Sequence, residues 1–140
     1  MASSDDIRHW ASFEMLQLPQ GHWEVLQLGN CGSPIETSQG WLVLTHGVGP
    51  MRTYALGALL LDLEQPHRVL ARTIEPILFP DDDLRDGYVP NVVYSCGSLV
   101  HNGTLVIPYG IADCRTSFAT VDLETLLGAM QNTRTRRELV

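Results

Sequence analysis

The polar side chains with a capacity for chemistry are concentrated in one run, 29–63, in the first half of the chain. Glu36 lies in a predicted turn before an apolar segment, and His46 lies where that segment is predicted to end. A carboxylate and an imidazole are the groups that most often move protons in enzymes. By themselves, however, a histidine at a strand end is usually structural and a glutamate in a turn is usually solvated. Residue type alone therefore predicts no reaction here.

Two strands are predicted to position these side chains. The apolar run Trp41–Leu44 follows a turn with Gly40, and a second apolar run spans Tyr54–Leu63. The segment Thr45–Pro50 between them contains two glycines and a proline, which favour a sharp turn. We therefore predict a loop at His46 between two buried strands.

The rest of the chain also has short strands separated by turns. Trp23–Leu28 alternates apolar and polar residues, and Asn102-Gly103 between two apolar runs is a strong hairpin signal. Near the C-terminus, leucines at helical spacing follow Asp122, a good N-cap. The pattern predicts an all-β fold with one short C-terminal helix, and a sandwich and a propeller are both admissible.

Composition excludes several classes of function. The chain has 140 residues, 44% of them hydrophobic, which is enough for one domain or one piece of a domain. Its net charge of -7 and scattered arginines lack the basic patch that a nucleic-acid surface needs. There is no apolar run long enough to span a membrane. Cys31, Cys96 and Cys114 are widely spaced, so we predict neither disulfides nor zinc and expect a reducing, cytoplasmic location.

Two polar segments are predicted to be solvated. Asp81–Asp83 lacks the alternating spacing of a calcium loop, so we predict an acidic surface turn and no metal site. Thr133–Val140 carries three arginines and is predicted to be a frayed tail. No nucleotide, haem or flavin motif occurs in the sequence, and we expect no organic cofactor.

Several segments, in order and spacing, resemble glycoside hydrolase family 130, the β-mannoside phosphorylases and β-mannosidases. The resemblance covers nearly the whole chain, and the segments are SSDDIRHW, WEVLQLGNCGSPIET, THGV, YALGALLLDLEQPHRVLAR, EPILFP, GYVPNVVYSCG, PYGIADC and ATVDLETLL. Members of this family are longer and close as five-bladed β-propellers. The resemblance therefore implies that residues 1–140 form a partial propeller, about two to three blades from the C-terminal half.

The resemblance also implies roles for individual residues. His46 and Tyr54 match positions that contact inorganic phosphate in the phosphorylases, and Arg52 could add a positive charge there. Asp113 and Asn91 match positions that border the mannosyl unit. The residue thought to be the general acid, an Asp in the N-terminal blades, is expected to lie outside this chain. The implied substrate is a β-mannoside oligosaccharide, cleaved with inversion, with inorganic phosphate as co-substrate in a phosphorylase.

Glu36 departs from the family pattern, in which the phosphorylases tend to carry Lys. A carboxylate near bound phosphate would be repelled, whereas it could position or deprotonate water. We therefore expect hydrolysis slightly in preference to phosphorolysis, with Glu36 as the water-positioning residue. The alternative is an inactive glycan-binding or assembly fragment. Because a part-propeller exposes apolar faces and strand edges, we also expect self-association or pairing with a missing half.

Overall fold

Antiparallel β-sheet dominates the computed structural model, which describes residues 1–80 and 86–132. The predicted acidic turn at Asp81–Asp83 and the predicted frayed tail at Thr133–Val140 lie outside these residues. The elements of the described part are β1 (Ala2–Ser3), β2 (Ser12–Phe13), a 3-10 turn (His22–Glu24), β3 (Gln27–Asn30), β4 (Ile35–Thr37), β5 (Gly40–Val48), a second 3-10 turn (Pro50–Arg52), β6 (Tyr54–Leu61), β7 (Val69–Arg72), β8 (Val93–Tyr94), β9 (Leu99–His101), β10 (Thr104–Ile111), β11 (Arg115–Asp122), α1 (Leu123–Ala129) and β12 (Gln131–Asn132).

The first large sheet is built around β5 and β6. Its order is β12-β7-β6-β5-β3, and β4 also pairs with β5. The pairs Gly29 with His46 and Ile35 with Leu42 show that β3 and β4 contact the same neighbour at different heights. They therefore act as one strand that is interrupted by the loop at 31–34.

The second large sheet repeats this arrangement. Its strands β8 and β9 both pair with β10, and β11 follows on the other side of β10. Each interruption carries the sequence Cys-Gly-Ser, at Cys31–Ser33 and at Cys96–Ser98. A β-carbon on Gly32, whose φ is +105°, would lie 2.7 Å from the carbonyl oxygen of Cys96. The two interrupted strands therefore touch each other through these loops.

The main hydrophobic core lies between the two large sheets and the helix. One face of β5 and β6 supplies Leu42, Leu44, Leu56 and Leu60, and the second sheet supplies Leu105 and Ile107. Helix α1 adds Leu126 and Leu127, both 5% exposed. Because this core fills the space between the sheets, it fixes the position of one sheet against the other.

The opposite face of the first sheet carries a buried tryptophan. The indole of Trp23 lies flat over Gly47 and Gly57, where any β-carbon would come within about 2.5 Å of the ring. Its Nε1 donates to the carbonyl oxygen of Ile74 at 2.8 Å. Beside it, Glu24 and Arg72 form a buried ion pair. Farther along this face, a groove of about 930 Å³ is lined largely by apolar side chains, including Leu16, Trp41, Val43, Leu59 and Leu61.

Several local predictions are confirmed. The described chain is mostly β-sheet with a short helix near its C-terminal end, and the Asp122 carboxylate accepts from the backbone N–H of Thr125 at 2.8 Å. Asn102 and Gly103 form the turn between β9 and β10 with φ values of 47° and 75°, the positive values that a tight hairpin needs. No helix in the described ranges is long and apolar enough to cross a membrane.

Two local predictions are wrong. His46 was expected in a loop, but β5 continues to Val48 because β3 and β6 pair with it on both sides. Trp23 was expected at the start of a strand, but His22–Glu24 forms a 3-10 turn. There the carboxylate of Glu24 accepts from the backbone N–H groups of Gln20 and Gly21, at 2.8 and 3.0 Å, which holds the turn closed.

Candidate functional site

The side chain at the centre of the candidate site is His46, on β5. Its ring lies over the neighbouring strand β3, where a β-carbon on Gly29 would come within 2.5 Å of Cε1. Only glycine leaves room for an imidazole at that place. His46 is 9% exposed, so the strand pairing that buries it also fixes the height of its ring along the sheet.

Burial changes the protonation of His46. Desolvation lowers its pKa below the usual value of 6.5, and a hydrogen bond with the backbone of Asn30 opposes this in part. The imidazole is therefore neutral at pH 7 and carries a single N–H donor. Its Nδ1 lies 3.6 Å from the sulfur of Cys31, a buried thiol whose pKa is raised to about 11 by desolvation.

Two tyrosine rings flank the imidazole. Tyr54, the first residue of β6, is stacked on His46 with a centroid distance of 6.2 Å and an angle of 18°. Tyr94, on β8 of the second sheet, contacts it at 5.2 Å and 56°. Tyr94 is 41% exposed. The site therefore presents two phenol groups and an imidazole where the two sheets meet.

Asn91 and Asp113 lie at the same end of the sheets. The Asn91 carbonyl accepts from the backbone N–H of Tyr54 at 2.9 Å. The β8–β10 pairing extends by a bond from Ala112 N–H to the Val92 carbonyl, so Asp113 follows opposite Asn91. Both residues have positive φ, 63° and 53°, and the Asp113 side chain is exposed. The structure thus brings together the two positions that the resemblance assigns to the mannosyl unit.

Arg52 lies in the turn that joins β5 to β6. Its φ is 55°, and Met51 before it has a φ of 56°. The hairpin places this turn next to Val48 and Tyr54, which pair directly. The Arg52 side chain is exposed. An exposed guanidinium at this end of the sheet offers the charge-assisted hydrogen bonds that phosphate favours.

Glu36 is not brought to this site. It pairs with Trp41 on β5, which is five residues from His46, or roughly 17 Å along a strand. Trp41 and His46 are an odd number of residues apart, so their side chains point to opposite faces of the sheet. The Glu36 side chain is exposed. Its carboxylate is therefore too far from His46 and Tyr54 to act on a ligand bound there, and the structure gives no support to the preference for hydrolysis.

Sequence reasoning missed Tyr94 and Cys31 as neighbours of His46. The repeated Cys-Gly-Ser could have indicated them, because Gly29 and Tyr94 each stand two residues before that sequence. Both of these equivalent positions flank the imidazole in the structure, one from each sheet. The internal repeat predicts which residues of β8 are equivalent to those of β3.

The described residues of the site form no cluster suited to a metal ion. Within residues 1–80 and 86–132, no group of three or more His, Cys, Asp or Glu side chains is placed to hold one. The described donors are instead an imidazole, phenols, an amide and a guanidinium, which suit hydrogen bonding to an oxyanion and to sugar hydroxyls.

Several known proteins similar to this chain are named as phosphorylases of mannosides. A 1,2-beta-oligomannan phosphorylase of Thermoanaerobacter sp. is 39% identical over 128 residues, 90% of this chain and 43% of the relative. A beta-1,2-mannobiose phosphorylase of the same organism is 44% identical over 108 residues, 76% of this chain and 36% of the relative. The solved beta-1,2-mannobiose phosphorylase of Listeria innocua, in complex with beta-1,2-mannobiose, superposes with a TM-score of 0.84 at 35% identity, covering 92% of this chain and 37% of that one.

These relatives are much longer than the chain, which spans between 36% and 43% of their length. The family profile of glycoside hydrolase family 130, described as beta-1,4-mannooligosaccharide phosphorylase, matches residues 1–132. That match extends over almost all of the 140 residues and includes both large sheets. The chain therefore belongs to glycoside hydrolase family 130.

Proposed function

We propose that this chain forms the phosphate-binding and mannosyl-binding part of an inverting β-mannoside phosphorylase. The observation that carries the proposal is the stacking of Tyr54 on His46, at the end of the sheets where Asn91 and Asp113 also lie. The names of the relatives support the same reaction, because they are phosphorylases of mannosides. Glu36 lies at a distance from this group and plays no part in the reaction that we propose.

In this proposal, His46 and Tyr54 bind inorganic phosphate. A neutral imidazole and a phenol each donate one hydrogen bond to a phosphate oxygen, and neither needs to lose a proton to do so. Arg52 approaches from the exposed turn and offsets the charge of the dianion. The phosphate is then held at the edge of the two sheets, where its free oxygen can attack a sugar.

Asp113 and Asn91 bind the mannosyl unit in this proposal. A carboxylate accepts from two sugar hydroxyls, and an amide both donates and accepts. A phosphate oxygen forms a bond to the anomeric carbon from one face while the glycosidic C–O bond breaks on the other, and the leaving oxygen takes a proton. The products are α-mannose 1-phosphate and the shortened saccharide. The proton donor is the Asp that we expect outside this chain.

The substrate class that we propose is the β-1,2-mannosides. The relatives at 39% and 44% identity carry that linkage in their names, and so does the solved structure that binds beta-1,2-mannobiose. The family profile is named for the β-1,4 linkage, and a relative named for it, from Ruminococcus albus, is 35% identical. The greater similarity therefore favours the β-1,2 linkage.

We also propose that the two large sheets are two neighbouring blades of the C-terminal part of a five-bladed β-propeller. Their shared pattern, an interrupted strand followed by two long ones, suits a repeated blade. The apolar groove on the outer face of the first sheet is a surface that a further blade would cover. Without that blade, we expect the chain to self-associate through this face.

The compartment that we propose is the cytoplasm. Cys31, Cys96 and Cys114 are free thiols in the structure, and a reducing compartment preserves them. Labelling of a tagged chain in cells with a membrane-impermeant thiol reagent tests this. We expect no labelling of intact cells, and labelling without lysis would place the protein outside.

The test uses the 140-residue chain alone and together with the part of the Listeria innocua relative that it does not cover. Each sample is incubated with β-1,2-mannobiose in the presence and absence of phosphate. We expect mannose 1-phosphate only from the combined sample with phosphate. Release of free mannose in equal amounts with and without phosphate would indicate hydrolysis. Mannoside binding with no turnover in any sample would indicate a glycan-binding fragment.

Two variants then test the site within the same assay. His46→Ala is expected to lower phosphate-dependent turnover at least about tenfold, since one hydrogen bond to a charged group contributes about 1.5 kcal/mol or more. Glu36→Gln is the matched control, an exposed acid on β4 opposite Trp41 at the start of β5, and is expected to leave turnover unchanged. Full activity of His46→Ala, or loss in Glu36→Gln, would contradict the assignment.

A further inference from the structure

A buried thiol contacts the imidazole on which the proposed phosphate site depends. The sulfur of Cys31 lies 3.6 Å from Nδ1 of His46, and the cysteine is 2% exposed. Cys31 begins the loop that interrupts the strand β3–β4. Its N–H donates to the Leu44 carbonyl at 2.8 Å, which ties the loop to β5 itself.

His46 has other contacts, which include a hydrogen bond with the backbone of Asn30 and packing against Gly29, Tyr54 and Tyr94. Gly29 supports the ring from below, and Tyr54 and Tyr94 confine it from the sides. None of these apolar contacts distinguishes Nδ1 from Cε1 or Nε2 by hydrogen bonding. A thiol does, because sulfur and its proton interact with a ring nitrogen and not with a ring carbon.

We propose that Cys31 is a positioning residue for His46, holding Nδ1 at its thiol so that Nε2 is the nitrogen presented to the bound phosphate. This inference rests on the function proposed above. Desolvation raises the pKa of the Cys31 thiol, so the thiol keeps its proton at pH 7 and the pair stays neutral. A fixed orientation removes the rotational freedom that an unpartnered imidazole would lose on binding.

The second sheet supplies a natural comparison. Cys96 stands at the equivalent place in the second Cys-Gly-Ser loop, but it is exposed. The residue of β10 that corresponds to His46 is Gly110, since Gly29 pairs with His46 and the equivalent Tyr94 pairs with Gly110. The thiol is therefore buried in the loop whose neighbouring strand carries a histidine, and exposed in the loop whose strand does not.

The experiment measures the protonation state of His46 directly. Nitrogen-15 NMR of the full chain reports the tautomer and the pKa of each imidazole, and His46→Gln assigns the signal. We expect one dominant His46 tautomer in the parent chain and a mixture of tautomers in Cys31→Ala. We expect Cys31→Ser to restore the single tautomer at least in part, because its hydroxyl can still bond Nδ1. Cys96→Ala is the control and is expected to match the parent.

Phosphate titration of the same samples tests the consequence. We expect Cys31→Ala to weaken phosphate binding about five- to tenfold and Cys31→Ser to weaken it less. An unchanged tautomer and unchanged pKa in Cys31→Ala would overturn the positioning role, whether or not phosphate binds. If the parent chain shows the single tautomer but binds no phosphate, then the thiol contact stands and the proposed function fails. If Cys31→Ala does not fold, Cys31→Ser provides the test. A single His46 tautomer in Cys31→Ser, without a hydrogen bond between the serine hydroxyl and Nδ1 of His46, would also overturn the proposal.

Discussion

The imidazole of His46 lies over the α-carbon of Gly29, the residue directly opposite it on the neighbouring strand. A β-carbon at position 29 would be 2.5 Å from Cε1 and 2.9 Å from Nε2, both well inside contact distance. The absence of a side chain on one strand is therefore what allows the imidazole of the other to lie flat against the sheet. The proposed phosphate site depends on this pair as much as on the histidine itself.

Gly29→Ala is expected to displace the His46 ring and to weaken phosphate binding about tenfold or more, since a shift of about 1 Å is costly at a preorganised site. Isothermal titration of phosphate into the chain checks this. The control is Gly128→Ala in helix α1, where a β-carbon meets nothing within 4 Å. It is expected to bind phosphate as the parent does and to raise stability by up to about 1 kcal/mol. If Gly29→Ala bound phosphate as tightly as the parent chain, displacement of the His46 ring would have no effect on phosphate binding.

Much of the fold was accessible from local sequence, for identifiable physical reasons. The hairpin at Asn102-Gly103 and the N-cap at Asp122 each depend on a few adjacent residues, and both were predicted correctly. By contrast, the turn at Trp23 is determined by Gly47 and Gly57, which are distant in the chain and form the surface for its indole. Alternation in the sequence around Trp23 could not reveal that contact.

The candidate site was accessible only in part. The resemblance identified His46, Tyr54, Asn91 and Asp113, and these positions do lie at one end of the sheets. Their neighbour Tyr94 was missed, because its contact with His46 arises from the packing of one sheet on the other. Glu36 is a different case. It is close to His46 in sequence, but strand pairing carries it to the far end of β5.

The contact between the two Cys-Gly-Ser loops gives a second prediction. Gly32 has a φ of +105° and would place a β-carbon 2.7 Å from both the Cys96 carbonyl oxygen and the α-carbon of Gly97. Gly32→Ala is therefore expected to lower the free energy of unfolding by about 2 kcal/mol or more, through backbone strain and separation of the loops. Urea denaturation measures it. Gly97→Ala, the equivalent glycine with nothing within 4 Å of its β-carbon, is the matched control and is expected to be nearly neutral. Equal effects at the two glycines would argue against the loop contact.

The buried pair of Glu24 and Arg72 gives a third prediction. Their side chains are only 1% and 4% exposed. Arg72→Met would leave a buried carboxylate without its cation, so we expect a loss of about 3–5 kcal/mol in the free energy of unfolding. The double variant Glu24→Leu/Arg72→Met is expected to recover only part of that loss, because it removes both charges together but also removes the acceptor of the Gln20 and Gly21 N–H groups. The partly exposed pair of Arg68 and Asp62, 4.0 Å apart, is the control, and Arg68→Met is expected to cost less than about 1 kcal/mol. If Arg72→Met lowered the free energy of unfolding as little as the control does, burial would not make this ion pair important for stability.

The lowered pKa of His46 predicts how stability depends on pH. Burial disfavours the imidazolium in the folded chain, whereas the unfolded chain takes up a proton near the usual pKa of 6.5. Below that pH the unfolded state binds more protons, so stability falls as the pH drops from about 6.5 toward the lower pKa of the folded state, and it is constant with respect to this group above about pH 7.5. Urea denaturation between pH 5.5 and 8 measures the slope. His46→Gln is expected to flatten it. A slope that survives in His46→Gln would assign the pH dependence to another group and would show that His46 is not desolvated as the structure indicates.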